Sequence, residues 1–247
     1  MIRLDQALVD RGLCESRERA KRAILAGQVR VNAQRAHKPS DSVRLDDTLT
    51  LDAGEKYVSR GGHKLEHALH HFHLDVTGWV ALDLGASTGG FTDCLLQHGA
   101  AKIFAVDVGQ GQLAWKLRQD RRVEVMEKTN ARHLTAAQFP QPFVPVDLAV
   151  IDCSFISLRK ILPAAIALLK PNGRMIALVK PQFEAGKAEA DKGRGVISDP
   201  AVHERVLKEL HEFTEAQPGW SWRGAVESPL LGPAGNKEFL VLIEKTR

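Results

Sequence analysis

Val80-Ala81-Leu82-Asp83-Leu84-Gly85-Ala86-Ser87-Thr88-Gly89-Gly90-Phe91 is the stretch whose reading decides the fold. Its apolar start has the composition of a buried strand and breaks at small residues. Phe91, Leu95 and Leu96 then recur at helical spacing, so the unit reads strand, glycine turn, helix. Glycines in such a turn let the backbone approach a ligand closely, and the helix start offers it unpaired N–H groups. One glycine followed three positions after its neighbour by a Gly-Gly pair is not the G-x-G-x-x-G dinucleotide fingerprint. A second apolar run, 101–106, ends in Asp107, about 20 residues beyond the turn, where a carboxylate can accept the two hydroxyls of a ribose. Glycine turn and carboxylate together predict a nucleoside cofactor without a pyrophosphate, of which S-adenosylmethionine is the obvious case.

The chain of 247 residues holds one large domain, or a moderate one plus a small one. A hydrophobic share of 44% provides a core, and the net charge of +4 permits a polyanionic partner without requiring one. Cys14, Cys94 and Cys153 are widely spaced and form no C-x-x-C pair, so neither a disulfide framework nor a metal site is expected. The N-terminus lacks a signal-peptide pattern, and no apolar run approaches the roughly 18 residues needed to span a bilayer. A cytoplasmic, monomeric protein without a membrane partner is the expectation.

Residues 1–52 read as a separate unit. Leu4, Ala7 and Leu8 mark a short helix closed by Gly12, and Ser16 caps a second helix that stops at Gly27. Arg17, Arg19, Lys21 and Arg22 cover the other face of that helix, and Arg30 follows on a short strand. Over residues 1–60, 12 Lys/Arg stand against 9 Asp/Glu, so the basic character lies in the cluster rather than in the unit. A basic run on one helix is ordinary solvated surface unless something joins it. Here the adjacent strand does, which points toward phosphate contacts. The 43–51 stretch, with Asp46-Asp47 as its turn, is expected to be a hairpin.

Residues 53–60 read as a linker, after which Leu65, Ala68, Leu69 and Phe72 make one apolar helix face beside Lys64. Strands are expected near 123–126, 146–151, 174–180, 222–227 and 239–244, and helices near 158–169 and 199–215. This alternation predicts an α/β doubly wound sheet, mostly parallel, with an antiparallel edge. The charged segment 184–198 has no period and reads as a mobile loop.

Open α/β sheets bind ligands beyond the carboxyl ends of their strands. Asp107, Asp152 and Lys180 each end an apolar run there. A lysine closing a buried strand needs a carboxylate partner, and Asp152 is the candidate, either as a structural ion pair or as part of a site. Amino-methylating enzymes carry an Asn/Asp-Pro-Pro-aromatic turn where this chain has Asp152-Cys153-Ser154-Phe155. Cytosine C5 methylation needs a thiolate, and Cys153 lacks the Pro-Cys setting and an evident base.

Two resemblances join these pieces. Arg3-Leu4-Asp5, the 16–24 helix, Gly27 and Val29-Arg30-Val31-Asn32 resemble the αL RNA-binding module of a ribosomal protein, tyrosyl-tRNA synthetases and pseudouridine synthases. The remainder resembles the FtsJ-like ribose 2′-O-methyltransferases. The carrying motifs are the 58–65 and 83–93 stretches, Asp107-Val108-Gly109, 152–157, 179–184 and 235–239. Full length, the chain is similar to the TlyA family of ribosomal RNA methyltransferases, whose members have also been labelled hemolysins. It departs from that pattern at Lys56-Tyr57-Val58, where an Arg-x-Trp-Val type is expected.

The resemblance implies a Rossmann-like class I methyltransferase fold over 61–247 and a small α+β RNA-binding domain over 1–52. It implies S-adenosyl-L-methionine at Asp83, Gly85, Ala86, Ser87, Thr88, Gly89, Gly90, Phe91, Asp107 and Val108, and a catalytic tetrad of Lys64, Asp152, Lys180 and Glu238. RNA contact falls to Arg3, Arg17, Lys21, Arg22, Arg30 and Arg60. The reaction it implies is 2′-O-methylation of ribosomal RNA, with cytidine as the nucleoside. A membrane-active protein, or a non-catalytic assembly factor that binds ribosomal subunits, are the other classes these names allow.

Overall fold

The computed structural model describes residues 1–52 and 55–246, which divide into two compact units, Met1–Lys56 and Tyr57–Arg247. Of the segment read as a linker, Ala53 and Gly54 lie outside the described residues. Tyr57 belongs to the second unit, with 1% of its surface exposed, so the stretch after Lys56 is built structure rather than a tether.

The first unit runs β1 (Ile2–Arg3), α1 (Leu4–Asp10), α2 (Arg17–Leu25), β2 (Val29–Val31), β3 (Gln34–Arg35), β4 (Ser42–Val43) and β5 (Leu49–Leu51). Ser16 Oγ accepts from Arg19 N and starts α2, and Leu4, Leu8, Ala20 and Ile24 close the small core between the two helices. The expected 43–51 hairpin does not form. β4 pairs with β1 and β5 with β2, both antiparallel. Strands this short bury almost nothing by alternation, so the core contacts of Val43 and Leu49 choose their partners instead.

The second unit begins with α3 (Gly61–His71) and β6 (Val80–Leu84), followed by α4 (Gly90–Gln97), β7 (Lys102–Val106), α5 (Trp115–Arg118) and β8 (Val123–Met126). It continues through β9 (Val146–Ile151), α6 (Leu162–Ala167), β10 (Leu169–Val179), α7 (Pro181–Glu184), α8 (Lys187–Lys192) and α9 (Pro200–Glu215), and closes with β11 (Trp220–Glu227) and β12 (Phe239–Lys245). Seven strands lie in the order β11-β12-β10-β9-β6-β7-β8. The five from β10 to β8 are parallel, and β12 runs antiparallel to both β10 and β11. This is the mostly parallel Rossmann-like sheet with an antiparallel edge. Alternate side chains feed two cores, one with α6 and α9 residues such as Leu162, Val206 and Leu210, the other with Leu65, Leu69, Cys94 and Leu95 from α3 and α4.

Asp199 accepts from Ala201 N and Pro200 opens α9, a cap and first-turn pair legible in the sequence. The 184–198 segment differs from expectation, because it carries α8 and is pinned. The buried Asn236 side chain accepts from Ile197 N at 2.8 Å and donates to Gly195 O at 2.8 Å. These are polar anchors, which hydrophobic periodicity cannot register.

Candidate active site

Strand order reverses around β6 and β9, so the crevice beyond their carboxyl ends is the switch point of the sheet. Leu84 pairs with Ile151, and Asp152 N donates to Leu84 O at 3.0 Å, which sets Gly85 and Asp152 at one level. Val179 pairs with Phe239, bringing Lys180 and Glu238 side by side because β12 runs the opposite way. Lys64 arrives from the first turns of α3. Lys64, Asp152, Lys180 and Glu238, from four distant segments, line one cavity of about 600 Å³ with Gly85, Ala86, Ser87, Thr88, Gly90 and Phe91.

Two ion pairs organise its floor. Lys64 Nζ stands 2.5 Å from Glu238 Oε2, with 7% of Lys64 and 1% of Glu238 exposed. Lys180 Nζ stands 2.6 Å from Asp152 Oδ1 and donates to Ser154 Oγ at 2.9 Å. The Asp152 contact is ionic, with no hydrogen bond to that oxygen, so of the three N–H bonds of the ammonium Ser154 holds one. Glu184 fixes the loop that carries Ser154, accepting from Ser157 Oγ and Leu158 N at 2.7 Å each, and burial pushes its carboxyl up.

The glycine turn is shaped by close approach. Gly85 sits at φ +84°, and a Cβ there would stand 2.7 Å from Asp152 O. A Cβ on Gly90 would meet Gly62 N at 2.9 Å, so the starts of α3 and α4 abut only because Gly90 has no side chain.

Gly89, Asp83, Asp107 and Val108 do not line this cavity. Gly89 is the left-handed cap of α4, at φ +100°. Asp107 accepts from Ser87 N at 2.8 Å and Gly109 N at 2.7 Å, tying the turn to the end of β7. Val108, next to it, is exposed. Asp83 is fully buried beneath the turn, accepting from Thr92 Oγ1 at 2.6 Å, while its Oδ1 has no hydrogen-bond partner among the described residues. Burial pushes its carboxyl up to about 7. A carboxyl held neutral in the fold but ionised in the unfolded chain costs stability as pH rises from about 4 to 7, and the loss levels off above. Thermal midpoints of the native protein should therefore fall relative to Asp83→Asn over that interval, by the equivalent of a few kcal/mol of stability at most, and run parallel above it. Parallel curves across the whole range would mean that the carboxyl is ionised in the fold.

Of the residues assigned to RNA, Arg60 lines the cavity rather than joining the N-terminal cluster. Arg3 and Arg17 both bind the buried Asp5 at 3.0 Å, and the Arg3 guanidinium holds that carboxyl down at about 2. Arg30 pairs with Asp52 at 3.1 Å, and Lys21 and Arg22 stand on α2 with no ion pair among the described residues.

Sequence reasoning passed over Ser154, Phe155, Gln182 and Phe183 as cavity residues. Phe155 is 90% exposed at φ +63°, with its ring centroid 5.2 Å from that of Phe183. The available signal was position, since these residues directly follow the two polar strand ends. Burial and the Asp152 charge push the Cys153 thiol up to about 12, which disfavours the thiolate a nucleophile needs.

Residues 57–245 match the FtsJ-like methyltransferase family and residues 2–49 the S4 domain. The 16S/23S rRNA (cytidine-2′-O)-methyltransferase TlyA of Mycobacterium tuberculosis is 46% identical over 241 residues, spanning 97% of this chain and 88% of that protein. The chain belongs to the TlyA family of FtsJ-like methyltransferases. It is also 40% identical over 240 residues to Hemolysin A of Brachyspira hyodysenteriae, spanning 97% of this chain and 98% of that one. A solved structure from Streptococcus thermophilus, 46% identical, covers 99% of this chain and 88% of its own with a TM-score of 0.74. As a TlyA-family member the chain is a methyltransferase with an S4 domain at its N-terminus. Among the described residues no helix is long and apolar enough to cross a membrane.

Proposed function

We propose that this protein transfers a methyl group from S-adenosylmethionine to a ribose 2′-hydroxyl of ribosomal RNA, on a cytidine, in the cytoplasm where ribosomal subunits are found. The observation that carries this is the convergence of Lys64, Asp152, Lys180 and Glu238 on one cavity beside the glycine turn.

The wall of the cavity fits the donor. Gly85, Ala86, Ser87 and Thr88 of the turn line it, and Gln182 Oε1 and Glu238 Oε1, both buried, have no hydrogen-bond partner among the described residues and are available to donor or substrate N–H and O–H groups. When bound, S-adenosylmethionine supplies a methyl group on a sulfonium, already activated for displacement. The protein's work is then to align the acceptor oxygen and manage one proton. Lys180 aims an N–H not taken by Ser154 at the 2′-oxygen and stabilises the negative charge that develops there. Asp152 and Ser154 hold its chain in that direction. Lys64, paired to Glu238, adds a second cation on the same wall.

Phe155 and Phe183 offer an aromatic face at the mouth on which a nucleobase lifted from its stack can rest. Lys21 and Arg22 on α2, with the Asp5-braced Arg3 and Arg17 and with Arg30, give the S4 domain a basic surface for RNA phosphates. Arg60 at the cavity is placed to meet a phosphate near the target ribose.

The test is incubation of the purified protein with unmodified ribosomal subunits and labelled S-adenosylmethionine, followed by mass spectrometry of nuclease fragments. A 2′-O-methylcytidine is the expected product. A methylated base would overturn the assignment of the tetrad, and cofactor binding without label on either subunit would overturn ribosomal RNA as substrate.

A further inference from the structure

Among the described residues outside the cavity, one cluster of side chains has the chemistry of a metal site. Glu66 and His70 are four residues apart on α3 and share a face. His98 caps the end of α4, which packs on α3 through Leu65, Leu69, Cys94 and Leu95. One ligand atom from each of Glu66, His70 and His98 lies within 4.8 Å of the other two. The rings of His70 and His98 stand 6.0 Å apart between centroids, at 69°.

The contacts of His98 favour the tautomer a ligand requires. Its Nδ1 lies 2.8 Å from Cys94 O and 3.6 Å from Cys94 Sγ, and the shorter contact, to a group that can only accept, assigns the proton to Nδ1. Nε2 is left with a lone pair. A backbone carbonyl holding the far nitrogen of an imidazole is the usual outer support of a metal-bound histidine. Glu66 also faces His63, whose Nδ1 is 3.9 Å from Oε2, so the carboxylate already works among imidazoles.

We propose that Glu66, His70 and His98 bind a zinc-class divalent cation that clamps α3 to α4. Two imidazole nitrogens and one carboxylate oxygen suit zinc and its late first-row neighbours, with water completing a tetrahedron. Bonds of about 2.0–2.1 Å place tetrahedral ligands about 3.4 Å apart, so closing atoms that lie within 4.8 Å of one another needs a shift of up to about 1.4 Å. The exposed His70 ring is free to make that shift. None of the three residues lines the methyltransferase cavity, so the cation is separate from the transfer chemistry. It would brace the helix that carries Lys64 against the helix that follows the glycine turn. No Cys/His spacing announces such a site, because its ligands come from two helices.

The experiment uses the full chain without a histidine tag, stripped with chelator and titrated with zinc by calorimetry and with cobalt by absorption. One equivalent of zinc, a raised unfolding midpoint and a tetrahedral cobalt spectrum are expected. His70→Ala and His98→Gln should each weaken binding by at least the roughly tenfold that loss of an outer-shell partner costs. His71→Ala, the neighbouring histidine, should bind as the native chain does. Absence of binding, or binding that survives His70→Ala, would overturn the site. So would equal loss in His71→Ala, since the titration would then report diffuse histidine binding.

Discussion

Lys180→Ala should lower methyl transfer to ribosomal subunits by about 10²–10⁴-fold, the range spanned by single positioned proton-transfer groups and oxyanion donors. Its fold should persist. The lost ammonium leaves Asp152 alone, but the Asp152 side chain is 26% exposed, so water can replace its partner. Circular dichroism and the thermal midpoint should stay near those of the native protein while labelled product disappears. Lys180→Arg distinguishes two roles of the same nitrogen. Guanidinium cannot give up its proton and cannot fit a point contact held between Asp152 Oδ1 and Ser154 Oγ. Loss of activity in both variants is expected. An arginine variant with native rates would eliminate Lys180 as a proton acceptor, and an alanine variant within a few-fold of native would remove it from the reaction altogether.

The second large effect is on stability. Lys64→Met leaves Glu238, 1% exposed, as a buried carboxylate without its counter-charge. Removing one member of a buried ion pair costs about 3–5 kcal/mol, which for a unit of this size lowers the midpoint by roughly 6–20 °C. Lys64→Met combined with Glu238→Gln should recover most of that loss, because the stranded charge goes with it. Both forms should be inactive. Recovery of stability without recovery of activity would separate the fold's need for neutrality from the reaction's need for two cations. A single variant that loses less than about 1 kcal/mol would mean that water reaches Glu238.

The parts of this molecule visible in the sequence are those where hydrophobicity stops abruptly. β6, β9 and β10 are apolar runs cut off by Gly85, Asp152 and Lys180, and the cut marks the carboxyl end of a strand and hence the rim of the site. Glu238 was reachable only through family resemblance: the late strands announce an antiparallel edge, but not that β12 pairs with β10 and so delivers this residue beside Lys180. The pairing of β4 and β5 escaped because two- and three-residue strands carry no alternation. α8 escaped because a short, charged helix held at its far end by Asn236 owes little to an apolar face. Asp83 looked like a ligand contact on the same grounds as its neighbours, yet its position on β6 points it into the sheet toward Thr92 rather than out of it.

Phe155 gives selection two opposing handles. A side chain at φ +63° stores about 1–3 kcal/mol of backbone strain, which glycine would relieve, and an aromatic ring that is 90% exposed returns little of that through burial. A library screened only for heat resistance would therefore drift toward Phe155→Gly. The same library screened for marked RNA would hold the phenylalanine and tolerate the weaker fold. The residue a thermostability campaign discards first is thus the one on which the proposed role of the cavity mouth would be tested.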